Sequence, residues 1–171
     1  LVVMVDNTER KRVEARVQYL ALHDALTGLA NRVLFFDRLN GAIAATRRKE
    51  GAFALLYLDL DDFKPINDTF GHEAGDLALR SVAERLRDCV RESDTVARLG
   101  GDEFVLLVND TADEAAAVTV AEKAIAALTR PLPIGECRHS IGASIGIVLY
   151  PRHGEDADSL MRHADTAMYD A

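Results

Sequence analysis

Gly100 and Gly101 separate two apolar segments, one carrying Val96 and Leu99 and the other running from Phe104 to Val108, and they lead directly into Asp102 and Glu103. Only glycine takes positive φ without steric cost, so adjacent glycines between β-prone segments predict a tight hairpin turn. Such a turn holds Asp102 and Glu103 at its tip or shoulder. Paired carboxylates there repel each other unless a cation joins them. Alone, the string also describes a solvated acidic turn.

A second acidic element lies upstream. Phe53 to Leu58 is a continuous apolar run that ends in Asp59-Leu60-Asp61-Asp62 and is followed by Phe63-Lys64. Its length and its boundary at Gly51 predict a buried strand. The period of two puts Asp59 and Asp61 on one face and Leu60 on the other. Carboxylates at the end of a buried strand are costly to desolvate unless they meet a cation. Mg²⁺ takes oxygen ligands, commonly one or two protein carboxylates plus nucleotide phosphates. One carboxylate from the strand and one from the hairpin supply that set, and Lys64 is placed to meet phosphate. An acidic strand exit with an ordinary surface lysine is the competing reading.

The chain resembles the GGDEF domain family, the diguanylate cyclases. The resemblance rests on five segments in the family's order. They are Asp24-Ala-Leu-Thr-Gly-Leu-Ala-Asn-Arg32, Asp59-Leu-Asp-Asp-Phe-Lys-Pro-Ile-Asn-Asp-Thr-Phe-Gly-His-Glu-Ala-Gly-Asp76, Arg98-Leu-Gly-Gly-Asp-Glu-Phe104, Ser144-Ile-Gly-Ile147 and Ala164-Asp-Thr-Ala-Met-Tyr169. It implies condensation of two GTP into cyclic di-GMP with release of two pyrophosphates. It also implies Mg²⁺ (or Mn²⁺) held by Asp59, Asp102 and the Leu60 carbonyl. Glu103 is a further ligand or orients the attacking hydroxyl, so Asp102, Glu103 and Lys64 carry the catalytic roles. Asn67 and Asp76 contact the guanine edge; the Asp62 and Phe63 amides with Lys64 hold the terminal phosphates. Gly100 and Gly101 allow close approach of the nucleotide.

Arg91-Glu-Ser-Asp94 reads as a charged helix end, with Arg91 favourably placed against the helix dipole. Its offset from Gly100 matches the family's RxxD site, so the resemblance assigns Arg91 and Asp94 to binding of cyclic di-GMP and to product inhibition. Arginine grips phosphate or the guanine Hoogsteen edge in a bidentate manner. The family pattern continues past Ala171 with two basic phosphate contacts, which lie beyond the sequence.

The 171 residues are 49% hydrophobic, enough to bury one sizeable core. A net charge of −8 with mixed signs argues against a nucleic-acid surface. With no apolar run of about 18 residues and no signal peptide, a cytoplasmic domain is expected, within a full-length protein that can be membrane-anchored. Cys89 and Cys137 lack metal-site spacing and read as free thiols in a reducing compartment. His72 reads as a helix-start residue, and the other histidines show no ligand spacing.

Residues 1–22 are expected to be the end of an upstream sensor domain plus a signalling helix, with the GGDEF domain over 23–171. Leu1 to Val5 reads as a short strand, and the Asp6-Asn-Thr-Glu-Arg-Lys11 string resembles the exit of a PAS sensor. Val13, Val17 and Leu20 then follow coiled-coil spacing, although packing of this helix on its own domain fits as well. Next come a helix capped by Asn31 with Phe35, Leu39 and Ile43 on one face, and the Phe53 strand. A Lys64–Asn67 loop and a helix near Glu73 to Val90, striped by Leu77, Val82, Leu86 and Val90, lead to the hairpin. An Ala-rich helix from Asp113 to Leu128, a Pro131–Pro133 loop, a strand from Ala143 to Tyr150 and a helix from Asp156 complete the order. Hairpins mixed with helices give an α+β class. The resemblance sharpens this to a ferredoxin-like βαββαβ core, an antiparallel central sheet flanked by helices, as in nucleotide cyclases and polymerase palms.

One GTP site per domain and a product made from two GTPs imply a C₂ homodimer. Two other functions share the motifs. One is a catalytically weak GTP-binding module regulating an attached EAL phosphodiesterase, because Leu29 to Leu39 resembles proteins in which a GGDEF domain precedes an EAL domain. The other is a cyclic di-GMP receptor using Arg91 and Asp94.

Overall fold

Phe53–Leu60 forms strand β1, in which seven of the eight residues are buried and only Asp59, near its end, is partly exposed. An apolar run covered on both faces must lie at the centre of a sheet. The computed structural model describes residues 8–111, 113–134 and 137–171. In chain order the elements are α1 (Thr8–Leu22), α2 (Arg32–Lys49), β1, α3 (Phe63–Phe70), α4 (His72–Cys89), β2 (Thr95–Gly100) and β3 (Glu103–Val108). They continue with α5 (Glu114–Leu128), β4 (Leu132–Ile134), β5 (Cys137–His139), β6 (Ala143–Tyr150) and α6 (Ala157–Tyr169).

The main sheet has the order β2-β3-β1-β6, and every pair is antiparallel. This is the ferredoxin-like βαββαβ arrangement, with helices on both faces. Alternation along β1 divides the core into two layers. Ala54, Leu56, Leu58 and Leu60 pack with Leu79, Val82 and Leu86 of α4 and Ala117, Ala124 and Leu128 of α5. Phe53, Leu55 and Tyr57 pack with Phe35 and Leu39 of α2 and Leu160 and Ala164 of α6. Burying each large side chain contributes about 1.5–3 kcal/mol, so these layers carry most of the folding free energy.

Helix starts follow the local chemistry. Asn31 accepts a hydrogen bond from the Leu34 amide, Asp113 from Ala115 and Asp156 from Ser159, so each fills the N-cap role of a short polar side chain.

Four local expectations need correction. The segment expected as a Lys64–Asn67 loop is the body of α3. Pro65 is tolerated because it sits in the first turn, where no amide partner is needed, and Gly71, at φ 83°, separates α3 from α4. Leu77 does not join the α4 stripe and is 57% exposed; Ala78, Leu79, Val82, Ala83 and Leu86 form it instead. The expected Pro131–Pro133 loop contains a small antiparallel hairpin, β4–β5, with Leu132 buried against the core. Asp61 lies just past the end of β1 rather than within it.

Helix α1 leaves Val13 58% and Val17 61% exposed, so those residues do not pack on their own domain. Its C-terminal end is fastened to the domain where the Asn31 side-chain amide donates to the Ala21 carbonyl. The strand expected over residues 1–5 lies outside the described residues. Among the described residues, no helix is long and apolar enough to cross a membrane.

Candidate functional site

The β2–β3 hairpin turns at Gly100 and Gly101, whose φ values of 148° and 51° disfavour any other residue. Gly100 pairs with Glu103, and a register irregularity lies between Arg98 and Gly100. Asp102 therefore occupies the turn, while Glu103 is the first residue of β3. Across the sheet, Glu103 stands directly opposite Asp59, the last β1 residue paired with β3. Directly opposed residues share a sheet face, so the two carboxylates meet there and Asp102 flanks them.

Electrostatics record the crowding. The Asp59 carboxyl is pushed up to about 6, first by burial and then by the charges of Asp102, Glu103 and Asp61. The buried Tyr57 hydroxyl, on the same face, is raised by burial and then by the neighbouring Glu103. A cation at this point would relieve both effects. Among the described residues, no three His, Cys, Asp or Glu side chains converge closely enough to hold a metal ion by themselves. Carboxylate and carbonyl oxygens are the donor type that a hard cation such as Mg²⁺ takes, with phosphates and water filling the rest of its shell.

Arg98 braces the turn. Its Nε and Nη2 donate to the Gly101 carbonyl at 3.0 and 2.7 Å, and its Nη1 donates to both Asp24 oxygens at 3.1 and 3.2 Å. The Thr27 amide and hydroxyl also donate to Asp24, at 2.9 and 2.7 Å. Burial alone would raise the Asp24 carboxyl, but the Thr27 and Arg98 hydrogen bonds outweigh it and the net shift is downward. The sequence alone gives Asp24, Thr27 and Arg98 no role. The Asp-x-x-Thr spacing was the available signal, because it makes a local hydrogen-bonded turn.

Helix α3 starts at Phe63 behind Asp62, which is left-handed at φ 55° and makes no side-chain cap. The amides of this first turn therefore have no side-chain cap. Lys64 is exposed on the same turn. Asn67, on α3, packs against Gly75, on α4, where a Cβ would overlap the Asn67 side chain. Asp76 is exposed one residue further along α4. Neither Asn67 nor Asp76 caps a helix, and both are set at the α3–α4 junction. His72 is the exposed first residue of α4, as expected.

Arg91 and Asp94 close a turn between α4 and β2. The Asp94 carboxylate accepts from the Arg91 amide at 2.9 Å and the Asn109 amide at 3.0 Å, while the Arg91 side chain is exposed. Both residues line two adjoining cavities of about 380 and 470 Å³. Cys89 is buried and free.

A family model described as "Diguanylate cyclase, GGDEF domain" matches residues 21–171. The chain is 49% identical over 164 residues to the bifunctional diguanylate cyclase/cyclic di-GMP phosphodiesterase MucR of Pseudomonas aeruginosa, covering 96% of this chain and 24% of MucR. It is 42% identical over 156 residues to the diguanylate cyclase TpbB of the same organism, covering 91% of this chain and 36% of TpbB. The chain thus spans about a quarter to a third of these relatives. The solved GGDEF domain of TpbB superposes with a TM-score of 0.84 at 43% identity, covering 87% of both chains. The coiled coil and GGDEF domain of DgcB from Caulobacter crescentus, solved in complex with c-di-GMP, gives a TM-score of 0.84 at 31% identity, covering 95% of this chain and 87% of that one. Fold, motifs and relatives agree: the chain belongs to the GGDEF family of diguanylate cyclase domains.

Proposed function

We propose that this domain condenses two GTP into cyclic di-GMP. The observation that carries this reading is the register of Asp59 against Glu103 beside the Asp102 turn, a carboxylate cluster crowded enough to lift Asp59 to about 6. In each half of the reaction, the 3′-oxygen of one GTP bonds to the α-phosphorus of the other. The bond to the pyrophosphate group breaks and the hydroxyl proton leaves to a base or water. Two such transfers give the cyclic product and two pyrophosphates.

Asp59, Asp102 and the Leu60 carbonyl hold Mg²⁺ or Mn²⁺ in this reading, with Glu103 as a further ligand or the group that orients the hydroxyl. The ion supplies charge neutralisation at the phosphate and a lowered hydroxyl pKa. Lys64 and the amides of Asp62 and Phe63 hold the terminal phosphates. Asn67 and Asp76 select guanine by pairing an amide and a carboxylate with its acceptor and N–H groups. The open turn at Gly100 and Gly101 leaves room for the nucleotide. Positioning and charge neutralisation are most of what phosphoryl-group chemistry asks of a protein.

Each domain holds one GTP, so catalysis joins two copies face to face as a homodimer. Helix α1, with Val13 and Val17 exposed, serves as the signalling helix that brings the copies together under an upstream sensor. Arg91 and Asp94 bind cyclic di-GMP and restrain the enzyme.

The test is incubation with GTP and Mg²⁺ and chromatographic separation of the nucleotides, repeated with Asp102→Ala. Cyclic di-GMP formed by the wild type and lost in the variant supports the cyclase. GTP binding without turnover supports a regulatory module for an attached EAL phosphodiesterase; MucR, to which the chain is similar, is named for both cyclase and phosphodiesterase activities. Cyclic di-GMP binding with neither GTP binding nor turnover supports a receptor.

A further inference from the structure

The Ser144-Ile-Gly-Ile147 segment of β6 is left without a role by the reading above, although Ser144 stands opposite Asp59 in the sheet. Its hydroxyl does not bond Asp59. It donates instead to Asp61 Oδ1 at 3.0 Å. The Asp61 amide in turn donates to the Gly142 carbonyl at 3.0 Å. Gly142 must lack a side chain for this to happen, since a Cβ there would come within 2.5 Å of Asp61 Oδ2. Asp61 is therefore gripped through its backbone by Gly142, just before β6, and through its side chain by Ser144 of β6.

The Asp61 N–H and the Leu60 C=O belong to one peptide plane. In a trans peptide the two groups point in opposite directions. An N–H bonded to Gly142 on the β6 side therefore turns the Leu60 carbonyl toward the β3 side. The β1–β3 ladder ends at the Asp59–Glu103 pair, so no β3 residue is paired with Leu60. The carbonyl faces the turn that carries Asp102. Gly146 fixes β6 itself, because a Cβ there would overlap the backbone of α6 at Ala164 and Met168.

We infer that Ser144, Gly142 and Asp61 form a positioning clamp that aims the Leu60 carbonyl at the divalent cation between Asp59 and Asp102. The inference rests on the proposed metal site and extends it to three residues that touch neither nucleotide nor cation. Without the Ser144 hydrogen bond, the Leu60–Asp61 peptide is held only through its backbone contacts to Gly142 and Ala143, so the aim of the Leu60 carbonyl loosens while both carboxylates stay in place.

The experiment measures Mn²⁺ binding by calorimetry in the presence of 3′-deoxy-GTP, which cannot cyclise. Wild type, Ser144→Ala, Ser144→Thr and the near-isosteric Ser144→Cys are compared. The expected result is Mn²⁺ affinity weaker by roughly three- to tenfold in Ser144→Ala and Ser144→Cys, the scale of one ordinary solvent-accessible hydrogen bond, with recovery in Ser144→Thr. Binding of 3′-deoxy-GTP in excess chelator and the thermal midpoint stay at wild-type values. Wild-type Mn²⁺ affinity in a folded Ser144→Ala or Ser144→Cys protein overturns the clamp. If the wild type itself fails to bind Mn²⁺ with the analogue, the metal reading falls, and the clamp with it.

Discussion

Arg98 and Asp24 lie 74 residues apart in the chain and meet through two contacts of 3.1 and 3.2 Å, while the rest of the guanidinium holds the Gly101 carbonyl. One side chain thus ties the loop after α1 to the tip of the β2–β3 hairpin. The Arg98 and Asp24 side chains are only 12% and 22% exposed, so the pair is shielded from the screening that weakens surface ion pairs. Removing one partner leaves a largely buried charge unpaired.

Asp24→Ala is accordingly expected to destabilise the domain by about 1–3 kcal/mol, the cost of an unsatisfied charged hydrogen-bonding group. For a domain of this size that corresponds to a fall in Tm of roughly 2–4 °C per kcal/mol, which a thermal melt reads directly. Arg98→Lys should recover little, because a single ammonium cannot span both Asp24 and Gly101.

Asp102→Ala is expected to lower cyclic di-GMP formation by at least about a hundredfold, since a metal-held charge clamp supplies several kcal/mol at the transition state. Circular dichroism should be unchanged, because Asp102 sits in a solvent-facing turn that takes no part in either core layer. A fully active Asp102→Ala enzyme would remove that residue from the metal site.

The raised Asp59 carboxyl predicts a pH dependence of definite sign. A carboxyl whose folded value is about 6, against an ordinary 3.8, binds more protons in the folded state than in the unfolded one between those limits. Without metal, its contribution to stability is fullest below about pH 3.8 and is lost as the pH rises through 6. The difference in stability between wild type and Asp59→Asn should move in that window. Divalent-ion affinity should run the other way, rising to a plateau above about pH 6 as the carboxyl deprotonates. An NMR titration of the Asp59 carboxyl carbon, repeated in Asp102→Asn, should show its midpoint fall when the neighbouring charge is removed.

Gly146→Ala tests the packing of α6. The added methyl would overlap the Ala164 and Met168 backbone, so α6 must shift as a body. A loss of about 1–3 kcal/mol, at the overpacking scale, is expected in chemical denaturation. The variant offers no flexible side chain that could move aside instead.

Exposed Val13 and Val17 predict that removing residues 1–22 weakens dimerisation. Activity of the shortened chain should then rise more steeply with protein concentration than that of the full sequence. Identical concentration dependence would dismiss the helix as an assembly element.

Much of this site was legible in the sequence because its chemistry is written in short strings. The glycine pair calls for positive φ, and the acidic end of a buried run points to a cation, so Asp59, Asp102 and Glu103 stand out as a carboxylate cluster before their register is known. Asn31 announced its helix by capping logic alone. What stayed hidden depended on contacts distant in sequence. Nothing local to Asp24 shows that it meets Arg98, and nothing in Ser144 shows that its hydroxyl reaches Asp61 rather than water. Pro65 and Asn67 are loop residues by composition and hide helix α3, which tolerates Pro65 only because it sits in the first turn. Leu77 is core-like by hydrophobicity, but its phase on α4 turns it outward.

The central position of β1 has a mechanical consequence. The strand that carries Asp59 is hydrogen-bonded on both edges and covered on both faces. Its amides should exchange with deuterium only through global unfolding, while those of α1 exchange early. A ligand held by so rigid a beam has almost no freedom to be adjusted in place. Under the proposed function, control would act on what surrounds the beam, by moving whole copies relative to one another or by occupying the turn at Arg91.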